Sequence, residues 1–244
     1  MRVDVYLSPG EVTPGDVADR TVVVLDVLRA SSTIVEALGA GAKAIFPASS
    51  IEEAMRLANN IGRDEVLLCG ERKCQPIEGF DLGNSPREFT PERVAGKTLV
   101  MTTTNGTLSI TLTNGASRVL IGSLLNLSAV VDELARSEVD PVLLCSGRER
   151  QFALEDAVCA GQIVEKLMAV RPGDWALNDG ARAAAVLASH YTSAAEVFAL
   201  SAGGRAIEEA GLAEDLAFCA QADQYDLLPV LHDRYIRLVP PASR

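Results

Sequence analysis

The 244-residue chain carries 22 Lys and Arg against 33 Asp and Glu, a formal charge of −11. That balance argues against a general electrostatic surface for nucleic acid, which needs clustered cations, but leaves room for a pocket that concentrates cations around a small anion. Five cysteines without a C-x-x-C pair read as reduced, cytosolic thiols and not as a disulfide frame or zinc site.

Residues 3–7 alternate apolar and polar side chains and predict a strand ending at Ser8-Pro9-Gly10. No signal-peptide stretch opens the sequence and no apolar run approaches a membrane span, so a cytoplasmic protein without a membrane partner is expected. Residues 21–28 (T-V-V-V-L-D-V-L) form a buried-strand run. Ser31, Ser32 and Thr33 offer N-caps for a helix to Leu38, stopped by Gly39 and Gly41. Residues 44–46 predict a strand, Ser50 and Glu53 a capping box for a helix to Asn59, and residues 65–69 a third strand. The same order follows in residues 98–102, 118–121 and 141–145, with a helix over 126–136. Residues 154–170 and 174–191 read as helices, 201–219 as further helix broken near Gly211, and 235–239 as a last strand. Strands alternating with helices predict a sheet covered on both faces.

Internal similarity organises this series. Cys69 and Cys145 stand 76 residues apart in V-L-L-C-G-E-R and V-L-L-C-S-G-R-E-R, and Thr33 stands 74 before Thr107. Gly41-Ala42 and Gly115-Ala116, and Leu57-Ala58 and Leu134-Ala135, keep nearly the same offset. A unit at about 20–95 and again at 97–170 is therefore expected within one α/β domain, with 171–244 as a helical extension and last strand; two copies are too few for a solenoid. Residues 71–86 lack any sustained period, but Ile77, Phe80 and Leu82 give them apolar anchors, predicting an ordered loop.

The segments D-V-L-R-A-S-S-T (26–33), G-E-R (70–72), E-G-F-D-L-G-N-S-P (78–86), T-T-N-G-T (103–107), C-S-G (145–147) and L-E-D-A-V-C-A-G (154–161) occur in that order. Together with S-A-G-G-R (201–205) and G-L-A-E-D (211–215), this pattern resembles the 2-phosphosulfolactate phosphatase family of the coenzyme M pathway. The resemblance implies a three-layer α/β/α fold with a mostly parallel or mixed sheet. It also implies magnesium-dependent hydrolysis of a small anionic phosphate ester to 3-sulfolactate. One departure is Cys74, which stands where a small residue, often Gly, is expected.

Phosphate monoester hydrolysis demands barrier lowering of roughly 20 kcal/mol, supplied by positioning and by charge at the phosphoryl oxygens. Magnesium suits one or two carboxylates plus phosphate and water; Glu71, Asp81, Glu155 and Asp156 are the expected ligands. Asp26 interrupts an apolar strand near its C-terminal end, the edge where α/β sheets bind ligands. With Arg29, Glu71 and Asp156 it forms the expected catalytic set, Arg29 being suited to grip an anion with paired hydrogen bonds. Arg72, Arg148, Ser31, Ser32, Asn84, Ser85 and the turn Thr104-Asn105-Gly106 are the expected substrate contacts. Asn-Gly is also a hairpin turn, but its alignment with residues 30–33 favours a strand-to-helix turn. Glu155 and Asp156 could alternatively be ordinary first-turn acids.

His190 and His232 lie outside every motif and read as structural. No P-loop motif is present. A haloacid-dehalogenase-like phosphatase with Asp26 as nucleophile would want a second Asp where Leu28 stands. A non-catalytic sensor of a sulfonated or phosphorylated metabolite is the rival outside catalysis. A homo-oligomer is expected.

Overall fold

The computed structural model describes residues 1–239. In chain order its elements begin with β1 (Arg2–Tyr6), α1 (Pro14–Val17), β2 (Thr21–Leu25), α2 (Ala30–Gly39), β3 (Ala44–Pro47), α3 (Ile51–Ile61), β4 (Val66–Arg72), β5 (Gln75–Pro76) and α4 (Pro91–Val94). There follow β6 (Thr98–Thr102), α5 (Gly106–Thr111), β7 (Arg118–Gly122), α6 (Leu127–Arg136), β8 (Pro141–Cys145) and α7 (Leu154–Val170). The last part holds β9 (Ala176–Leu177), α8 (Asp179–His190), α9 (Ala194–Leu200), α10 (Ala202–Glu209), α11 (Ala213–Cys219), β10 (Pro229–His232) and β11 (Tyr235–Leu238).

Most predicted elements are present, and the differences have local causes. β2 stops at Leu25 because Asp26 already begins a turn: its N–H donates to Ser31 Oγ at 2.9 Å and its carbonyl accepts from the Ser31 N–H at 2.8 Å. Ser50 caps α3 by accepting from the Glu53 N–H, but the Glu53 carboxylate turns to the Ser49 N–H, so the reciprocal half of the expected box is displaced by one residue. The helix expected over 174–191 starts only at Asp179, where Asn178 Oδ1 accepts from the Ala181 N–H at 2.8 Å. Before it, Ala176 and Leu177 pair with β1. Among the described residues no helix is long and apolar enough to cross a membrane, and all five cysteines are free.

The strands form one mixed, mostly parallel sheet in the order β5-β4-β6-β3-β11-β10-β7-β2-β8-β1-β9. Antiparallel contacts are confined to the β4–β5 pair and to the β10–β11 hairpin with its neighbours. On one side of that hairpin β6 lies between β3 and β4, with Thr98 opposite both Ala44 and Val66. On the other side β2 lies between β7 and β8, with Thr21 opposite both Arg118 and Pro141. The middle strand of each triplet thus comes from the sequence segment that supplies the outer strands of the other.

Alternation along the central strands feeds both faces. Val23 and Leu25 join one core with Leu127, Val130, Ile163 and Val164 of α6 and α7. Val22 and Val24 join another with Ile34, Ala37 and Leu38 of α2. A smaller cluster packs Ala54 and Ala58 of α3 on Val66, Leu68 and Val100. Helices therefore cover the sheet on both faces, as the three-layer expectation holds.

Candidate active site

The turns after β2 and β6 meet although their strands lie on opposite sides of the hairpin. A Cβ built on Gly106, the first residue of α5, would lie 2.8 Å from the Ala30 Cβ and 2.9 Å from Asp26 Oδ2. Only glycine admits that approach. Gly106→Ala is therefore expected to push Asp26 off its position, costing on the order of 1–3 kcal/mol in urea unfolding and lowering kcat at least tenfold.

The junction opens into a cavity of about 430 Å³ whose walls include Asp26, Glu71, Asn105 and Asp156. Two carboxylates stitch it together. Asp156, in the first turn of α7, accepts from the Val27 N–H (2.8 Å) and the Gly147 N–H (2.9 Å). Glu71, near the end of β4, accepts from the Thr104 N–H (2.8 Å) and the Cys74 N–H (2.9 Å). Each thus ties the turn after one middle strand to a turn beyond an outer strand. Asn105 adds a third tie, its Oδ1 accepting from the Glu149 N–H at 3.0 Å.

The outer-strand turns are built alike. Arg72 pairs with Gln75 across Lys73 (φ 51°) and Cys74 (φ 65°), and Arg148 pairs with Gln151 across Glu149 (φ 51°) and Arg150 (φ 64°). Two consecutive left-handed residues make such a turn, and glycine is their usual occupant. The unusual Cys74 therefore occupies a position where its backbone carries the cost. Lys73, Cys74, Gln75, Arg148 and Glu149 all face the cavity.

Electrostatics divide the cavity. Asp26 is buried, and its carboxyl is pushed up to about 7, by burial first and then by the charges of Glu71 and Glu155; the Ala30 N–H and Arg29 oppose the shift. Burial and the neighbouring Asp26 and Glu155 raise Asp156 well above the usual carboxylate range, against the pull of its two backbone N–H donors. Burial likewise raises Glu155. Facing these acids are the cations Arg29, Lys73 and Arg148.

This donor set fits a hard divalent cation. Glu155 Oε2 is buried without a hydrogen-bond partner, and a Cβ on Gly203 would stand 2.1 Å from Glu155 Oε1, so the carboxylate is held tightly against α10. Among the described residues no three His, Cys, Asp or Glu side chains enclose an ion by themselves. Magnesium does not need such a cage, since it takes one or two carboxylates and completes its shell with water and phosphate.

Of the residues expected from sequence, Asp26, Arg29, Glu71, Asn84, Thr104, Asn105, Arg148, Glu155 and Asp156 line this cavity. Six others do not, and each is engaged elsewhere. Ser31 Oγ accepts from Asp26 N–H and Ser32 Oγ donates to the Val27 carbonyl, so both fold back on the preceding turn from inside α2, whose N-cap position is Arg29 and not a serine as expected. Gly106 supports Asp26 from behind. Ser85 Oγ donates to Asp215 at 2.6 Å. The Asp81 carboxylate accepts from Arg63 and from the Leu68 N–H, anchoring the ordered 71–86 loop to β4 and away from the acids. Arg72 donates to the Glu71 carbonyl and to Thr102 of β6, so Lys73 supplies the cation on this wall. Arg148→Ala is consequently expected to raise KM tenfold or more, about 1.4 kcal/mol per decade. Arg72→Ala should mainly lower the melting temperature, which thermal denaturation beside steady-state kinetics would separate.

Sequence reasoning missed Lys73, Gln75, Thr103 and Glu149, and the contribution of α10, whose Gly203, Ala206 and Ile207 close the cavity. It also missed Asp215, fully buried in the first turn of α11. Only the recurrence of R-x-x-Q at both outer turns could have pointed to Lys73 and Glu149.

A model of the family described as 2-phosphosulpholactate phosphatase matches residues 6–234. The chain is 43% identical over 237 residues to the "Probable 2-phosphosulfolactate phosphatase" of Symbiobacterium thermophilum, covering 96% of this chain and 99% of that protein. It is 42% identical over 230 residues to the protein of that name from Thermotoga petrophila, with 94% and 95% covered. It is 40% identical over 238 residues to the one from Caldanaerobacter subterraneus subsp. tengcongensis, with 97% and 98% covered. With similarity along nearly its whole length, the chain belongs to the 2-phosphosulfolactate phosphatase family.

Proposed function

We propose that this protein hydrolyses 2-phosphosulfolactate to 3-sulfolactate and inorganic phosphate, with magnesium, as a step of the coenzyme M type of pathway. The observation that carries the reading is the cavity where buried Asp26, Glu155 and Asp156 face Arg29, Lys73 and Arg148. The names of the similar proteins supply the substrate. The cations fit a ligand bearing a phosphate, a sulfonate and a carboxylate.

Glu155 and Asp156 would hold the magnesium, which would supply positive charge at the phosphoryl oxygens. Arg148 and Lys73 neutralise further oxygens on opposite walls, and Arg29 holds a third anionic group. Asp26, raised into the neutral range by its burial, takes a proton from the water that attacks phosphorus, a role suited to a group titrating near the working pH; the ester P–O bond breaks as the new one forms, and the departing sulfolactate oxygen takes up a proton from solvent. Glu71 and Asn105 keep the two walls in register, because a misplacement of about 1 Å can cost on the order of 100-fold.

The same reading takes residues 20–95 and 97–170 as two uses of one unit. It is supported by the reciprocal strand triplets, by the matching Arg72–Gln75 and Arg148–Gln151 turns, and by Val27 and Thr104 each donating to a bracing carboxylate.

Inorganic phosphate released from a panel of esters by the purified protein tests the function. Kcat/KM should be highest for 2-phosphosulfolactate and lower for phospholactate and phosphoglycolate. Preference for an ester without a sulfonate would replace the substrate but keep the chemistry. Binding without any phosphate release would leave a sensor.

A further inference from the structure

Arg29 is the most enclosed cation of the cavity, and it reaches the ligand side under restraint. Its Nη1 donates to Asp215 Oδ2 at 2.7 Å, and its Nη2 donates to the Cys74 carbonyl at 3.1 Å. Both members of the ion pair are almost fully buried. Asp215 Oδ1 accepts from Ser85 Oγ at 2.6 Å, and Ser85 follows Asn84, whose carbonyl accepts from Thr33 Oγ1 at 2.9 Å. Asn84 itself lines the cavity with its Oδ1 buried and unpartnered. One carboxylate, from a helix far along the chain, therefore connects an arginine and a loop that both face the ligand space.

We infer that Asp215 is a positioning residue: it aims the Arg29 guanidinium at the substrate's non-reacting anionic group, and through Ser85 it fixes the Asn84-Ser85 backbone beside that guanidinium. The inference rests on the phosphatase reading. Arginine has five donors in a fixed fork; with one on Asp215 and one on Cys74, the remaining N–H groups have a defined direction. Without Asp215 the guanidinium keeps its charge but loses that aim. The loss falls on substrate binding, because Asp156 is braced separately by the Val27 and Gly147 N–H groups and Asp26 by the Ala30 N–H.

The same carboxylate lies on α11, which packs against α10, the helix that closes the cavity. The next residue upstream, Glu214, pairs with Arg87, and Arg148 donates to the Ala202 carbonyl of α10. Asp215 is the one of these anchors that is wholly buried, which makes it the one whose geometry water does not loosen.

The test is a mutant cycle on the intact protein with magnesium and 2-phosphosulfolactate: Arg29→Gln, Asp215→Asn and the double variant, each checked by thermal denaturation. Asp215→Asn should raise KM tenfold or more with kcat changed less than threefold. The double variant should be no worse than Arg29→Gln alone, because Asp215 acts through Arg29. A folded Asp215→Asn with wild-type KM, or losses that multiply in the double variant, overturns the inference. Should Asp215→Asn fail to fold, Ser85→Ala removes one hydrogen bond without stranding a charge, and a KM rise of at least twofold is expected; an unchanged KM overturns the inference. Absence of turnover in the wild type would instead strike the phosphatase reading, which the variants do not share.

Discussion

Replacing Asp26 by Asn should lower kcat by three or more orders of magnitude, roughly 4 kcal/mol of barrier, while KM changes little. The amide keeps the size of the carboxyl and an oxygen for the Ala30 N–H, which Asp26 Oδ1 now accepts at 3.3 Å. It cannot accept a proton from water. The same substitution should stabilise the metal-free protein at alkaline pH. Burial raises the folded-state value of Asp26 from 3.8 to about 7. The native state therefore holds this proton more tightly than the unfolded chain does, and stability falls as pH rises from about 4 through about 7. Asp156 and Glu155, also raised, add to the trend. Urea unfolding in the presence of a chelator should show wild type losing stability between pH 5 and 8. Asp26→Asn should lose less, by on the order of 1–3 kcal/mol. Equal pH slopes would show that Asp26 is not the group held protonated.

Thorough chelation should reduce phosphate release at least 100-fold, and added magnesium should restore it. The cause lies in the same acids. Burial raises the proton affinity of all three carboxyls, and the charge of Glu155 adds to it at Asp26 and Asp156; a divalent cation placed among them reverses that balance. Binding of magnesium to metal-free protein at pH 7 should accordingly release protons, which calorimetry in buffers of different ionisation enthalpy detects. It should also raise the melting temperature more at pH 8 than at pH 5, since acid competes for the same oxygens. Full turnover in chelator would remove magnesium from the account and leave the cations to do its work.

The parts of this structure visible in the sequence are those fixed by short-range chemistry. The runs that became β2, β6, β7 and β8 are almost wholly buried, so each reads as an apolar stretch with its own boundaries. Asp26 was legible because a carboxylate at the end of such a run has no packing reason to be there. β9 and β10, of two and four residues, pair with β1 and β7, which are distant in sequence, and β5 is the two-residue return of the turn after β4. No local period announces them.

The misplaced site residues fail for a related reason. Ser31 and Ser32 are expected as N-caps that also meet a ligand, yet a buried turn first satisfies its own backbone. Arg72 belongs to the β4–β5 ladder and turns to Thr102, while its neighbour Lys73 stands in the turn beyond it. Asp81 is claimed by Arg63, eighteen residues earlier. Asp215 is the opposite case: an acid in the first turn of α11 looks like an ordinary partner of the helix dipole. Only tertiary packing, across 186 residues, sets it on Arg29.

On the proposed reading, turns from both segments enclose one phosphoryl-transfer site. A crystal structure with manganese in place of magnesium and with 3-sulfolactate tests it most directly. One anomalous peak is expected at Glu155 and Asp156, with the ligand beside it touching Arg29, Lys73 or Arg148. A metal and product bound outside the 430 Å³ cavity, in crystals of a protein that releases phosphate, would contradict it.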